Sequence, residues 1–158
     1  MAQEAVEWLN AEQMRVWRLW LRTQTELPAA LARAMSQDSE LSMQDYETLV
    51  RLSEAEGQRL RISVLADQMH WERSRLSHHL RRMVSRGLIV KEDCADDGRG
   101  SFVRLAEAGR QAQVEAAPGH VRAVREFFLA GMSAEDMAVL ERVLTRFLAN
   151  VDARESSD

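Results

Sequence analysis

A change of hydrophobic period inside residues 61–105 constrains this chain more than any other feature. Ile62, Leu65, Ala66 and Met69 recur at i, i+3, i+4 and i+7, which sets four apolar groups on one face of a short helix. Ser63 is placed to cap that helix, its hydroxyl accepting a bond from an N–H of the first turn. A polar break at His70, Trp71 and Glu72 follows. A second helix then carries Leu76, Leu80, Met83 and Val84 at i, i+4, i+7 and i+8, and Gly87 stops it. Past Gly87 the pattern turns extended: Leu88, Ile89 and Val90 make one run, and Phe102, Val103 and Leu105 another. Between them, Asp96-Asp97-Gly98-Arg99-Gly100 is a turn-forming cluster. The stretch predicts two short helices followed by a hairpin with a charged tip.

The polar side of the second helix says what such a unit is for. At roughly 100° per residue, Ser74, His78, Arg81, Arg82 and Ser85 fall opposite the apolar stripe, with Arg75 and Arg86 on one flank. Arginine forks onto guanine or clamps phosphate, Ser and His take either role, and a helix of this width fits the major groove of DNA. Arg99 at the hairpin tip suits a narrow minor groove, where the negative potential is strongest. Asp97 beside it can hold the guanidinium in one orientation. Taken singly, each feature also reads as a solvated helix face or a soluble loop.

Net charge argues against nucleic acid until its distribution is considered. The 158 residues carry 21 Lys and Arg against 25 Asp and Glu, a net charge of −4. Between Arg59 and Arg104, however, ten basic residues face six acidic ones, a local excess of +4 that leaves −8 on the remainder. A basic module in an acidic body neutralises phosphates locally while discouraging indiscriminate adhesion.

The flanks read as helices that need a partner. Trp17, Trp20, Leu21, Leu27, Leu31 and Met35 recur at helical spacing behind a cap at Asn10. Pro28 lacks an N–H and crowds the Gln24 carbonyl, which predicts a kink or break. Three of the four Trp, at 8, 17 and 20, lie here, as the lining of an aromatic-ligand pocket or as core and subunit contact. Ser42 with Asp45 forms a capping-box pattern ahead of Tyr46, Leu49 and Val50, and residues 59–62 predict a third strand beside the hairpin. Beyond Leu105 a helical pattern runs to Phe127 and Phe128, with a bend expected at Pro118-Gly119. His120 follows as either a structural histidine or a pH- or ligand-responsive one. Ser133 caps a last helix in which Met137, Leu140, Leu144, Phe147, Leu148 and Val151 keep one stripe for about four turns. A stripe that long near a chain end predicts a second subunit related by a twofold axis.

Catalytic signatures are missing. No glycine-rich phosphate loop, nucleophile elbow or HExxH spacing occurs, and the adjacent His78 and His79 point to different sides of a helix without a third ligand. The sequence therefore predicts no enzyme, no metal and no cofactor. One cysteine, Cys94, excludes an intrachain disulfide framework and points to a reducing cytoplasm, as do an acidic residue 1–10 stretch unlike a signal peptide and the lack of a bilayer-length apolar run. Cys94 flanks the wing, where oxidation would disturb the hairpin, although Glu92, Asp93 and Asp96 disfavour a reactive thiolate.

The segment LADQMHWERSRLSHHLRRMVSRGLIVKEDCADDGRGSFVRLAEAGR, preceded by DYETLVRLSEAEG and followed by AAPGHV, resembles the MarR family of bacterial transcription regulators, its actinobacterial branch especially. The resemblance spans about residues 8–148 and is most specific at 74–87 and at the 97–100 wing tip. It implies a mainly α fold with a small β-wing: one domain over 1–158, dimerisation helices at 8–40 and 107–151, and a winged helix-turn-helix over 42–105. It further implies a homodimer on a pseudo-palindromic operator of double-stranded DNA, acting as an effector-responsive repressor, with a recognition helix at 73–86. Arg73, Ser74, Arg75, Ser77, His78 and Arg81 are the expected base or phosphate contacts, Arg82 and Arg86 phosphate contacts, and Arg99 the minor-groove contact. A small aromatic or phenolic effector is expected near Trp17, Trp20, Tyr46 and His120. A protein-interaction adaptor that keeps the winged shape without binding DNA is the alternative that the acidic body motivates.

Overall fold

The computed structural model describes residues 6–93 and 101–155. Its order is α1 (Ala11–Asp38), α2 (Met43–Glu54), a 3₁₀ turn (Glu56–Gln58), β1 (Arg59–Arg61), α3 (Ile62–Met69), α4 (Arg73–Ser85), β2 (Ile89–Asp93), β3 (Ser101–Leu105), α5 (Glu107–Val124), a π turn (Arg125–Leu129) and α6 (Ala134–Glu155). The mainly α class with a small antiparallel sheet is as the sequence predicts.

Local signals set most boundaries. Asn10 and Gln13 form a reciprocal capping box at the start of α1, and Ser42 and Asp45 another at the start of α2, so both helix entries satisfy their orphan N–H groups. Ser133 accepts from the Asp136 N–H at the start of α6. Ser63 does not cap α3: β1 runs straight into the helix, Arg61 is the cap position, and no side chain bonds there. Ala106 leaves α5 uncapped by a side chain as well.

Neither proline breaks its helix. Pro28 sits inside the continuous α1, where the Gln24 residue is solvent-exposed and water can take the bond that proline cannot donate. Pro118 likewise lies inside α5, which runs on to Val124 and straight into the π turn. Gly119 serves close approach, since a Cβ there would meet Asp38 Oδ2 at 2.8 Å, at the end of α1.

The sheet order is β1-β3-β2, with Leu60 opposite Val103 and Ile89 opposite Leu105. One sheet face supplies Ile89, Val103 and Leu105 to a core completed by Leu49 and Leu52 of α2, Leu65 of α3 and Leu76, Leu80 and Met83 of α4. Helix α5 joins through Gly109, where a Cβ would lie 2.0 Å from the Leu88 carbonyl oxygen. The two ends are less covered: Trp17, Phe147, Leu148 and Val151 remain exposed on α1 and α6. Among the described residues no helix is long and apolar enough to cross a membrane.

Candidate nucleic-acid interface

Helix α4 is held from behind. Leu76, Leu80 and Met83 point into the core, and Gly87 turns the chain away into β2. The opposite side is open: Arg73, Ser74, Arg75, Ser77, His78, Arg81 and Arg82 are all exposed. Six of these seven carry a cation or a short hydrogen-bonding group within about three turns, and His78 adds a ring that donates and accepts. The chemistry such a row can do is recognition of base edges and phosphates rather than bond-making.

Three residues of α4 and its cap have settings that the periodicity alone does not give. Val84 is 39% exposed, whereas His79 is 3% exposed and takes the buried place. Its Nε2 lies 3.3 Å from the Thr48 hydroxyl, whose hydrogen is directed at the Gln44 carbonyl (2.8 Å), and 3.7 Å from Asp45 Oδ1. This arrangement assigns Nε2–H as the donor of a neutral imidazole. Burial lowers the His79 pKa, against the pull of Asp45, because the imidazolium would be desolvated.

Arg86 is the third. Its Nη1 donates to Asp45 Oδ2 (2.7 Å) and its Nη2 to the Glu40 carbonyl (2.9 Å), so the guanidinium, whose side chain stays 39% exposed, is engaged within the protein at two of its nitrogens. Asp45, 6% exposed, thereby ties the start of α2 to the end of α4.

At the other end of α4, the turn from α3 passes through His70 in the left-handed region (φ 50°) and fixes Trp71, whose N–H donates to the Ala66 carbonyl (3.0 Å). The Arg75 guanidinium carbon lies 4.0 Å over the Trp71 ring centroid, and His79 meets the same ring edge-to-face at 5.3 Å. The sequence pattern did not single out Trp71; its spacing of four from Arg75 was the available signal.

The outer face of the sheet is a second basic surface. Arg59 and Arg61 stand 4.1 and 4.9 Å from the Phe102 ring centroid, and Arg104 donates to Glu92 (2.6 Å). The alternation in Arg59-Leu60-Arg61 and Phe102-Val103-Arg104 is what puts them together. Arg99, Asp97 and Cys94 lie outside the described residues.

The four residues expected around an effector separate. Trp17 and Trp20 line a groove of about 1080 Å³ between α1 and α6, with Trp20 edge-on to Phe147 at 6.0 Å. Tyr46 and His120 pair at 4.9 Å between α2 and α5. The groove lined by the two tryptophans includes neither of them. His120 Nδ1 is buried with no hydrogen-bond partner among the described residues, and burial raises the Tyr46 pKa.

A three-stranded sheet folded against α2, α3 and α4, with α4 presenting an open basic side, defines a winged helix-turn-helix protein. The MarR family model matches residues 41–101. AbsC, a MarR family transcriptional regulator from Streptomyces coelicolor, is 35% identical, with a TM-score of 0.84 over 94% of this chain and 99% of that one. Sco3205 from the same organism, a MarR family regulator solved in complex with DNA, is also 35% identical, with a TM-score of 0.84 over 93% of this chain and 91% of that one. The uncharacterized HTH-type transcriptional regulator YdgJ of Bacillus subtilis is 27% identical over 94 residues, 60% of this chain and 57% of that protein's length. The chain belongs to the MarR family of transcriptional regulators.

Proposed function

We propose that this chain is a homodimeric, sequence-specific DNA-binding regulator whose two α4 helices enter successive major grooves of a pseudo-palindromic operator. The observation that carries the reading is the exposed row Arg73, Ser74, Arg75, Ser77, His78, Arg81 and Arg82 on a helix locked to the core from behind. The DNA complex of Sco3205, at 35% identity, supports it. In this reading Arg99, from the wing, takes the minor groove.

The second copy of the chain occupies the groove between α1 and α6. Leu148 is 65% exposed and Val151 53%, and an apolar surface of that extent on one face is characteristic of a subunit contact. Twofold symmetry makes the contact self-complementary and sets the two recognition helices about one DNA turn, roughly 34 Å, apart. Residues 8–40 and 107–151 supply the dimerisation helices and residues 42–105 the DNA-binding module.

The regulator acts as an effector-responsive repressor. A small aromatic or phenolic molecule seats beside Tyr46 and His120, at the joint between α2 and α5, and favours a spacing of the α4 helices that no longer fits DNA. The buried, unpaired His120 Nδ1 supports this place; Trp17 and Trp20 belong to the subunit contact.

Fluorescence anisotropy with the intergenic duplex upstream of the gene, against a scrambled duplex and across a salt series, tests the reading. A preference for the intergenic duplex and a steep salt dependence are expected. Equal, weak binding of both duplexes would leave the protein-interaction adaptor as the better account.

A further inference from the structure

We propose that Trp71 is a positioning residue that holds the Arg75 guanidinium for base reading, and so helps set the operator preference. The inference rests on the DNA-reading role proposed for α4. Trp71 lies outside that helix, one residue before its cap position Glu72, and was no part of the exposed row.

Three observations fix the ring. Its backbone N–H is bonded to the Ala66 carbonyl at the end of α3 (3.0 Å), so the main chain has one setting. Its side chain is half-buried and packs against the core. Its ring meets His79 edge-to-face, and His79 is itself buried against Thr48. The platform is therefore anchored to both α2 and α3 before any DNA arrives.

Arg75 stacks on this platform, 4.0 Å from guanidinium carbon to ring centroid. Among the described residues it is the one exposed α4 arginine over an aromatic ring. A stacked guanidinium spends its flat face and keeps its N–H donors, which lie in the guanidinium plane. Those edge donors are the ones that fork onto guanine O6 and N7. An unstacked arginine must be ordered when DNA binds, and an ordered one has already met that cost. Arg73, Arg81 and Arg82 have no such platform, which separates Arg75 from its neighbours by preorganisation rather than by charge.

The test is a double-mutant cycle on the duplex that the wild-type protein selects from a random-sequence DNA pool. Trp71→Leu should weaken binding about two- to fivefold, the size of a surface cation–π contact, and relax preference at the base pair that Arg75→Ala also relaxes. In the Arg75→Ala background, Trp71→Leu should cost nothing further. Trp71→Phe, which keeps a ring, should bind as wild type does, and thermal melting of each variant separates misfolding from a positioning loss. An equal Trp71→Leu penalty in both backgrounds, or relaxation at positions that Arg75→Ala leaves alone, overturns the inference while leaving DNA reading intact. A wild-type protein that enriches no sequence overturns the DNA reading and this inference together.

Discussion

Arg86 donates to Asp45 Oδ2 at 2.7 Å across forty-one positions of sequence, joining the C-terminal cap of α4 to the first turn of α2. Asp45 also accepts from the Ser42 N–H at 3.0 Å, so one carboxylate serves a helix cap and an interhelical ion pair. The exit angle of α4 is thereby referred to α2 by charge as well as by packing.

Arg86→Met should reduce stability by about 1–3 kcal/mol, since it leaves a buried carboxylate with one partner fewer while the arginine itself is partly solvated. Because two of its nitrogens are held by Asp45 and the Glu40 carbonyl, the salt dependence of DNA binding should keep its slope. Urea denaturation and a salt titration of the same variant check both halves; a shallower slope would make Arg86 a phosphate contact.

Arg81 and Arg82 should behave differently from Arg86 and from each other. Arg82→Ala is expected to lower the salt slope by about one unit, whereas Arg81→Ala should cost about 1–3 kcal/mol and relax one operator position. Binding to a panel of single-base operator variants at several salt concentrations distinguishes the two. Equal losses at every position would make Arg81 a phosphate contact.

Acid should destabilise the protein in two windows. Burial holds the His79 pKa below its ordinary 6.5, with Arg82 and Arg75 adding to this and Asp45 opposing it. The unfolded chain then takes up that proton first, so this contribution is complete above about pH 6.5 and declines as pH falls towards the lowered folded value. For Asp45, burial pushes the carboxyl up, but bonds from Arg86 and Ser42 outweigh it and leave the pKa below 3.8. Its contribution is present above about pH 3.8 and is lost as pH falls through the folded value. Urea midpoints across pH should show both declines, and His79→Gln should flatten the upper one alone.

Gly109→Ala should destabilise by about 3 kcal/mol, because the new methyl would stand 2.0 Å from the Leu88 carbonyl oxygen, a backbone atom with little room to yield. Thermal melting reads the effect. A stability within about 0.5 kcal/mol of wild type would mean that the backbone at Leu88 yields readily to α5.

Leu148→Glu should leave the single chain folded, since the side chain is 65% exposed there, and should convert a dimer to monomer in sedimentation velocity. Operator affinity should fall in parallel. A variant that stays dimeric would move the subunit contact off the α1–α6 groove.

What could be read from the sequence was what is decided locally. The Ser42–Asp45 capping box and the Ser133 start of α6 depend on residues three positions apart, and the paired strands about the wing on residues at most sixteen apart, joined by one turn-forming stretch. The contacts of His79 and Arg86 are not legible in the sequence because their partners, Thr48 and Asp45, lie thirty-one and forty-one positions earlier, and no periodicity reports a partner that distant. Ser63 failed as a cap for a neighbouring reason: pairing of Arg61 with Phe102 leaves the chain entering α3 two residues sooner. The exposed row on α4 was legible because its residues need only face away from a stripe that Leu76, Leu80 and Met83 define.

The uninterrupted passage of α1 through Pro28 has a mechanical consequence. At about 1.5 Å per residue its 28 residues form a rod of roughly 42 Å, with Trp17 and Trp20 near one end and Met35 buried at the other. Tilting such a lever by about 5° sweeps its tip through roughly 4 Å, more than the 3.4 Å or so between neighbouring base pairs. A small rocking at the tryptophan end is thereby delivered, as a displacement of a few ångströms, to the end where α1 packs on α2 and α5.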